Sequence, residues 1–192
     1  ILNRLEEMQR YNVILRYNTN FSRLKYKKLD VLDLWPKFDY VSVGASIDAY
    51  GEQAEYMRKG TRWDTIVDNR NKMKDKAPDV YFYVNCTLGT LNAHHIVDFY
   101  YWIVENEFVP NSRSFNINLV QSPTHFSLQA LPKRMKSSLI PKYEGVEQFL
   151  LKQNHDDIAA QWRMAINFML ENDTFEQERN NFQSTIHSVD KI

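Results

Sequence analysis

A single cysteine, Cys86, stands in a chain of 192 residues. One thiol excludes an internal disulfide and any cysteine-rich metal site, and fits a reducing compartment. Excess charge is missing as well, since 24 lysines and arginines face 24 aspartates and glutamates. That balance gives no basis for a nucleic-acid partner or for an acidic membrane surface. No apolar run approaches the roughly 18 residues of a spanning helix, and no signal peptide is recognisable. The expected location is therefore cytoplasmic, with no membrane partner. A Gly-x-Gly-x-x-Gly fingerprint, a P-loop and a Gly-x-Ser-x-Gly elbow are all lacking, so none of the sites they build is announced. His94 and His95 are adjacent, and neighbours on a helix do not face one ligand. His125, His155 and His187 are scattered, so no histidine metal site is expected.

What is present describes a globular α/β chain. Hydrophobic residues make up 43% and charged residues 25%, which at this length suffices to bury a core. Aromatic content is 14%, concentrated in Tyr81-Phe82-Tyr83 and Phe99-Tyr100-Tyr101-Trp102. Such runs pack cores and helix–sheet contacts. Periodicity predicts a helix over residues 1–10, then strands over 13–17, 40–46, 80–86 and 115–120. Helical patterns fill the intervals at about 29–34, 52–59, 63–74 and 93–105, with no hairpin signal between the strands. The Lys25–Lys28 cluster reads as a solvated face. Strand–helix–strand repetition predicts parallel strands, adjacent in chain order, with right-handed crossovers. Four strands are too few for an eight-stranded barrel, so a partial (β/α) barrel or an open sheet is expected. Residues 122–143 hold three of the six prolines and show no clear period. Helices over about 145–152, 156–171 and 176–182 follow as a helical C-terminal extension. The domain division expected is 1–135 for the sheet and 136–192 for the helical extension.

The stretch from Ser46 to Gly60 organises the rest. Ser46 and Asp48 fall where the 40–46 strand ends, the edge at which parallel sheets gather ligand-binding groups. Gly51 permits a turn, and the helix after it brings Arg58 back toward the strand end. A hydroxyl, a carboxylate and a guanidinium then converge on one rim, suited to a ligand with hydroxyls and a carboxylate. The plainer alternative makes Ser46 or Asp48 a helix cap and pairs Arg58 with Glu55. Asn18, Thr19 and Asn20 end a neighbouring strand, either lining the same mouth or serving as turn residues. Asn85, Thr87 and Asn92 are weaker candidates, and Gln121 is a polar residue at another strand end. Cys86 lies late on a strand and reads as a buried thiol.

The pattern Ser46-x-Asp48-x-x-Gly51-Glu52-x-x-Glu55-Tyr56-x-Arg58-x-Gly60-x-x-Trp63 resembles the fourth-strand region of radical S-adenosylmethionine (SAM) enzymes with a twitch or SPASM-type accessory domain. Tyr17-Asn18-Thr19-Asn20 is similar to the family's third-strand segment. Asn116 to Gln121 with Pro123, then Leu131-Pro132, is similar to its sixth-strand region. Ala49 departs from the glycine many members carry there. The resemblance implies that Ser46 and Arg58 bind the SAM ribose or carboxylate and that Asp48 is a catalytic acceptor facing the substrate. It implies that Asn18, Asn20, Asn85 and Gln121 line the cofactor mouth. It also implies a [4Fe–4S] cluster on three cysteines, which this chain does not supply. The expected partners are thus SAM, an unknown substrate, an electron donor for the cluster, and a cluster-binding region preceding Ile1. The competing expectation is a cluster-free α/β binding or scaffold domain without catalysis.

Overall fold

The computed structural model describes residues 1–189. The chain divides into two compact units, one of residues Ile1–Asn85 with Ile103–Ser114, the other of Cys86–Trp102 with Phe115 onward.

In the first unit, α1 (Leu2–Glu7) leads to strand β1 (Ile14–Thr19). A two-residue antiparallel hairpin follows, β2 (Lys25–Tyr26) and β3 (Leu29–Asp30). The sequence showed no hairpin signal there, because Lys27 takes the left-handed turn position at φ 55° without glycine. The basic cluster is thus partly a turn. Asp30 then caps α2 (Val31–Leu34), its carboxylate accepting from the Leu32 amide at 3.1 Å. Strand β4 (Tyr40–Ser46) leads to α3 (Gly51–Met57), α4 (Trp63–Lys76) and strand β5 (Tyr81–Leu88). Gly51 adopts φ 59°, which is why glycine opens α3.

Strand β1 pairs with β4 and β4 with β5, both parallel. One face of these strands is apolar: Val41, Val43, Ala45, Phe82 and Val84 are all buried. Phe82 is the hub, with Phe21 at 5.0 Å and Phe108 at 5.6 Å between ring centroids, and the Arg70 guanidinium 4.4 Å above its ring. Burial pulls the Arg70 pKa down to about 10, and its Nε donates to the Phe108 carbonyl at 2.7 Å.

In the second unit, the end of β5 is followed by turns, then α5 (Ile96–Glu105), of which the residues up to Trp102 belong to this unit, and strand β6 (Phe115–Leu119). The sheet order is β1-β4-β5-β6, the adjacency in chain order that the spacing predicted. Parallel pairing of the last two strands is carried by hydrogen bonds from Val84 N to Ser114 O and from Val120 N to Leu88 O, each 3.0 Å. The sheet stays open, as expected for a partial barrel. Helices α6 (Lys133–Lys152), α7 (Asp156–Glu171) and α8 (Phe175–Val189) complete the unit.

The twelve residues of α6 before Gly145 were not predicted, because Pro141 lies inside the helix. Proline removes one intrahelical bond and crowds the preceding turn. Burial of Leu139, Tyr143, Val146 and Leu150 along one side offsets that loss. Trp162 of α7 is fully buried, its ring 5.4 Å from Tyr143 and 6.4 Å from Phe115 of β6. Gln161 accepts from the Ile117 amide at 2.7 Å, so α7 is tied to β6 directly.

Candidate functional site

Register across the first unit decides which side chains share a face. Ser42 is opposite Arg16 and Tyr81; Gly44 is opposite Asn18 and Tyr83; Ser46 is opposite Asn85. Side chains alternate along a strand, so Arg16, Asn18, Ser42, Gly44, Ser46, Tyr81, Tyr83 and Asn85 project from one face. That face is polar and aromatic, the reverse of the apolar side built by Val43 and Phe82. Its centre is Gly44. A Cβ there would lie 2.7 Å from Tyr83 Cζ and 2.8 Å from Asn85 Nδ2. Its absence lets side chains from the flanking strands meet over β4, and Asn85 Nδ2 donates to Asn18 Oδ1 at 3.3 Å.

The rim of this face is where β4 ends. Ile47 N donates to Asn85 O at 3.2 Å, carrying the main chain one step past the paired region. Asp48 is buried, and its Oδ2 takes both Nε and Nη2 of Arg58 at 2.7 Å. Charge-assisted pairing of this kind is the stronger class of hydrogen bond. It ties the loop between β4 and α3 to Arg58, the residue that closes α3. The carboxylate and guanidinium therefore converge as the sequence predicted. The alternative partner, Glu55, is used elsewhere: its Oε1 accepts from the Trp63 amide at 2.8 Å, at the start of α4. Tyr50, not Ser46 or Asp48, holds the N-cap position of α3.

Ser46, Asp48, Arg58 and Asn20 line a common recess with Trp63 and Ile66. Its free volume is about 10 Å³, no more than one water needs. The recess itself holds no ligand of useful size. A ligand would lie over the rim and the polar face, where Ser46 is half-buried and the Arg58 side chain is 38% exposed. Guanidinium carries five N–H donors, and the pair with Asp48 leaves the Nη1 donors outside it.

The remaining candidates separate. Asn18 and Asn20 are exposed at the end of β1. Asn20 Oδ1 also accepts from the Ser22 amide at 3.2 Å and the Ser22 hydroxyl at 2.8 Å, so it shapes its turn as well as lining the recess. Gln121 is in the second unit, on a shallow exposed groove beside Arg163 and Asn167 of α7. Asn92 is buried and closes the loop after β5, accepting from Gly89 N at 2.9 Å and donating to Thr87 O at 3.0 Å. Cys86 is fully buried. Sequence reasoning passed over Arg16, Ser42, Gly44, Tyr81 and Tyr83. The signal was available in the period-two series Ser42-x-Gly44-x-Ser46 and Tyr81-x-Tyr83-x-Asn85, polar or small on every second residue of strands otherwise apolar.

Among the described residues no three histidine, cysteine or acidic side chains gather in a metal-binding group. An iron–sulfur cluster does not fit the donors present, which offer one buried thiol. The rim instead offers a guanidinium, a hydroxyl and amides around an open polar face. No helix among the described residues is long and apolar enough to cross a membrane. No family model, curated protein or solved structure matches the chain.

Proposed function

We propose that this chain is the SAM- and substrate-facing wall of a radical SAM enzyme's partial barrel, with the cluster ligands lying outside it. One observation carries the reading: the polar face of β1, β4 and β5 runs up to a rim where Ser46, Asn20 and the Asp48–Arg58 pair line one recess. Radical formation would be the chemistry that bound SAM supplies. This chain's own residues bind and orient. Arg58, held in place by Asp48, presents its outer donors to a carboxylate, and Ser46 offers a hydroxyl to a ribose oxygen. Asn18 and Asn85, joined over Gly44, supply amide groups to the same ligand. Asp48, paired with Arg58, acts first as the group that aims the guanidinium, and its carboxylate would serve as the acceptor for a substrate proton.

The scaffold reading has its own support, since the Asp48–Arg58 pair fills its recess and by itself locks the loop. Ser46 separates the two readings, because it stands outside that pair. In amide-resolved NMR titration, SAM should shift Asn18–Asn20, Ser46–Asp48 and Arg58 saturably. Ser46→Ala should weaken binding by about 0.5–1.5 kcal/mol, roughly twofold to tenfold, with an unchanged melting temperature. Arg58→Ala should weaken it by roughly tenfold to a hundredfold and also lower the melting temperature, because it removes the charge-assisted pair that Asp48 and Arg58 make. SAM that leaves these amides unshifted sinks the proposal and leaves the loop lock as the pair's role.

A further inference from the structure

The second unit contains a cavity that the SAM reading does not use. It measures about 310 Å³, within the range of small-molecule sites. Helix α8 supplies one wall at helical spacing: Phe175, Arg179, Phe182 and Gln183 stand on one side of it. Ala130, Leu131 and Pro132, just before α6, and Met135 in its first turn supply another. Thr90, just past the end of β5, completes the lining. The walls are tied together rather than loosely apposed. Glu178 accepts from the Thr124 hydroxyl at 2.8 Å, and Phe182 packs 6.0 Å from Phe126. The buried Lys136 ammonium donates to Gln129 O at 2.8 Å and to Asn172 O at 3.0 Å, bracing α6 against the segment before α8.

The lining is apolar with a small polar set, the make-up of a ligand site. Among the described residues, Arg179 is the one charged residue of the lining. Half of its side chain is exposed, and its pairing with Glu176 is long, 3.4 Å. The Thr90 hydroxyl is buried, with no hydrogen-bond partner among the described residues, a costly condition in a cavity wall. We propose that this cavity binds a small organic acid, an aromatic or branched apolar body with one carboxylate, the body between Phe175, Phe182 and Met135 and the carboxylate on Arg179. The arrangement is independent of SAM and of the rim around Asp48.

The test uses two probes of one shape, 4-phenylbutyrate and its neutral amide, titrated calorimetrically into the chain with amide shifts followed by NMR. The acid should bind saturably and shift residues 130–135 and 175–183. The amide should bind about tenfold more weakly, as expected for loss of one charge-assisted bond. Arg179→Gln, on a half-exposed side chain that tolerates exchange, should bring the acid down to the amide's affinity. Ala130→Phe, which fills the lumen, should abolish both. Absence of saturable acid binding overturns the proposal, as does equal affinity for the two probes or an unchanged acid affinity in Arg179→Gln.

Discussion

Gly44 shows how one residue sets the chemistry of a sheet face. Its φ is not in the left-handed region, so the requirement is for space and not for backbone freedom. Any side chain at this position collides with the Tyr83 ring and the Asn85 amide, at 2.7 and 2.8 Å for the first carbon alone. Both are side-chain ends that can swing, yet swinging them breaks the Asn85–Asn18 bond that spans β4. Gly44→Ala should therefore cost about 1–3 kcal/mol, the usual range for overpacking, read as a lower urea midpoint at unchanged slope. It should also move the Asn18 and Asn85 side-chain amide resonances. An unchanged midpoint would mean that the face repacks freely and that the close approach has no structural weight. The same residue marks a limit of sequence reading. A glycine in a strand signals a close approach, but which side chains approach depends on register between strands far apart in the chain.

At the scale of elements, the strands were readable because each is a short apolar or β-branched run set between helical patterns. Their ends were less so: β1 keeps Asn18 and Thr19 within its pairing and β5 runs on to Leu88, because ladder bonds do not depend on side-chain polarity. The part of α6 before Gly145 and the small β2–β3 hairpin were missed for the opposite reason, a proline and a lysine standing where tertiary packing overrides local preference. Asp30 shows what anchors that hairpin. Its carboxylate caps α2, pairs with Lys25 at 3.0 Å and lies 3.7 Å from Lys76 of α4. Burial alone would raise its pKa; the hydrogen bonds from Lys25 and the Leu32 amide, with the two charges, outweigh it and hold it below the usual value. A carboxylate whose folded pKa is depressed contributes stability above its unfolded pKa, about 3.9. That contribution is lost as pH falls through the folded value. Asp30→Asn keeps a good cap and removes the titration. Wild type should therefore be the more stable at pH 7, with the gap in melting temperature closing as pH is lowered below about 4. A gap that stays constant into acid would assign the difference to packing instead.

For the molecule as a whole, local patterns revealed an open parallel sheet with helices after it, but not how the chain is shared between its units. Helix α5 is divided: residues up to Trp102 belong with the second unit, and Ile103–Ser114 return to the first. Hydrophobic periodicity within one helix carries no trace of such a division, which arises from contacts between residues 103–114 and the first 85. The convergence of Asp48 and Arg58 was legible because one strand-to-helix turn brings it about. The gathering of Asn18, Gly44, Tyr83 and Asn85 required three strands in register. Whole-chain composition carries the firmest chemical expectation. A radical SAM cluster asks the protein for three thiolates, and this chain holds one, fully buried beside Asn92, whose Nδ2 is 3.7 Å from its sulfur. Thiolate ligation requires an accessible sulfur, and this one is fully buried. Anaerobic reconstitution of the isolated chain with iron and sulfide should therefore give no stoichiometric cluster iron and no charge-transfer absorption. With SAM and dithionite it should release no 5′-deoxyadenosine, even if SAM binds at the rim. Cys86→Ala should behave identically in both assays. Cluster iron in the wild type that disappears in Cys86→Ala would mean that the buried thiol opens to metal, and would remove the basis for placing the cluster ligands outside this chain.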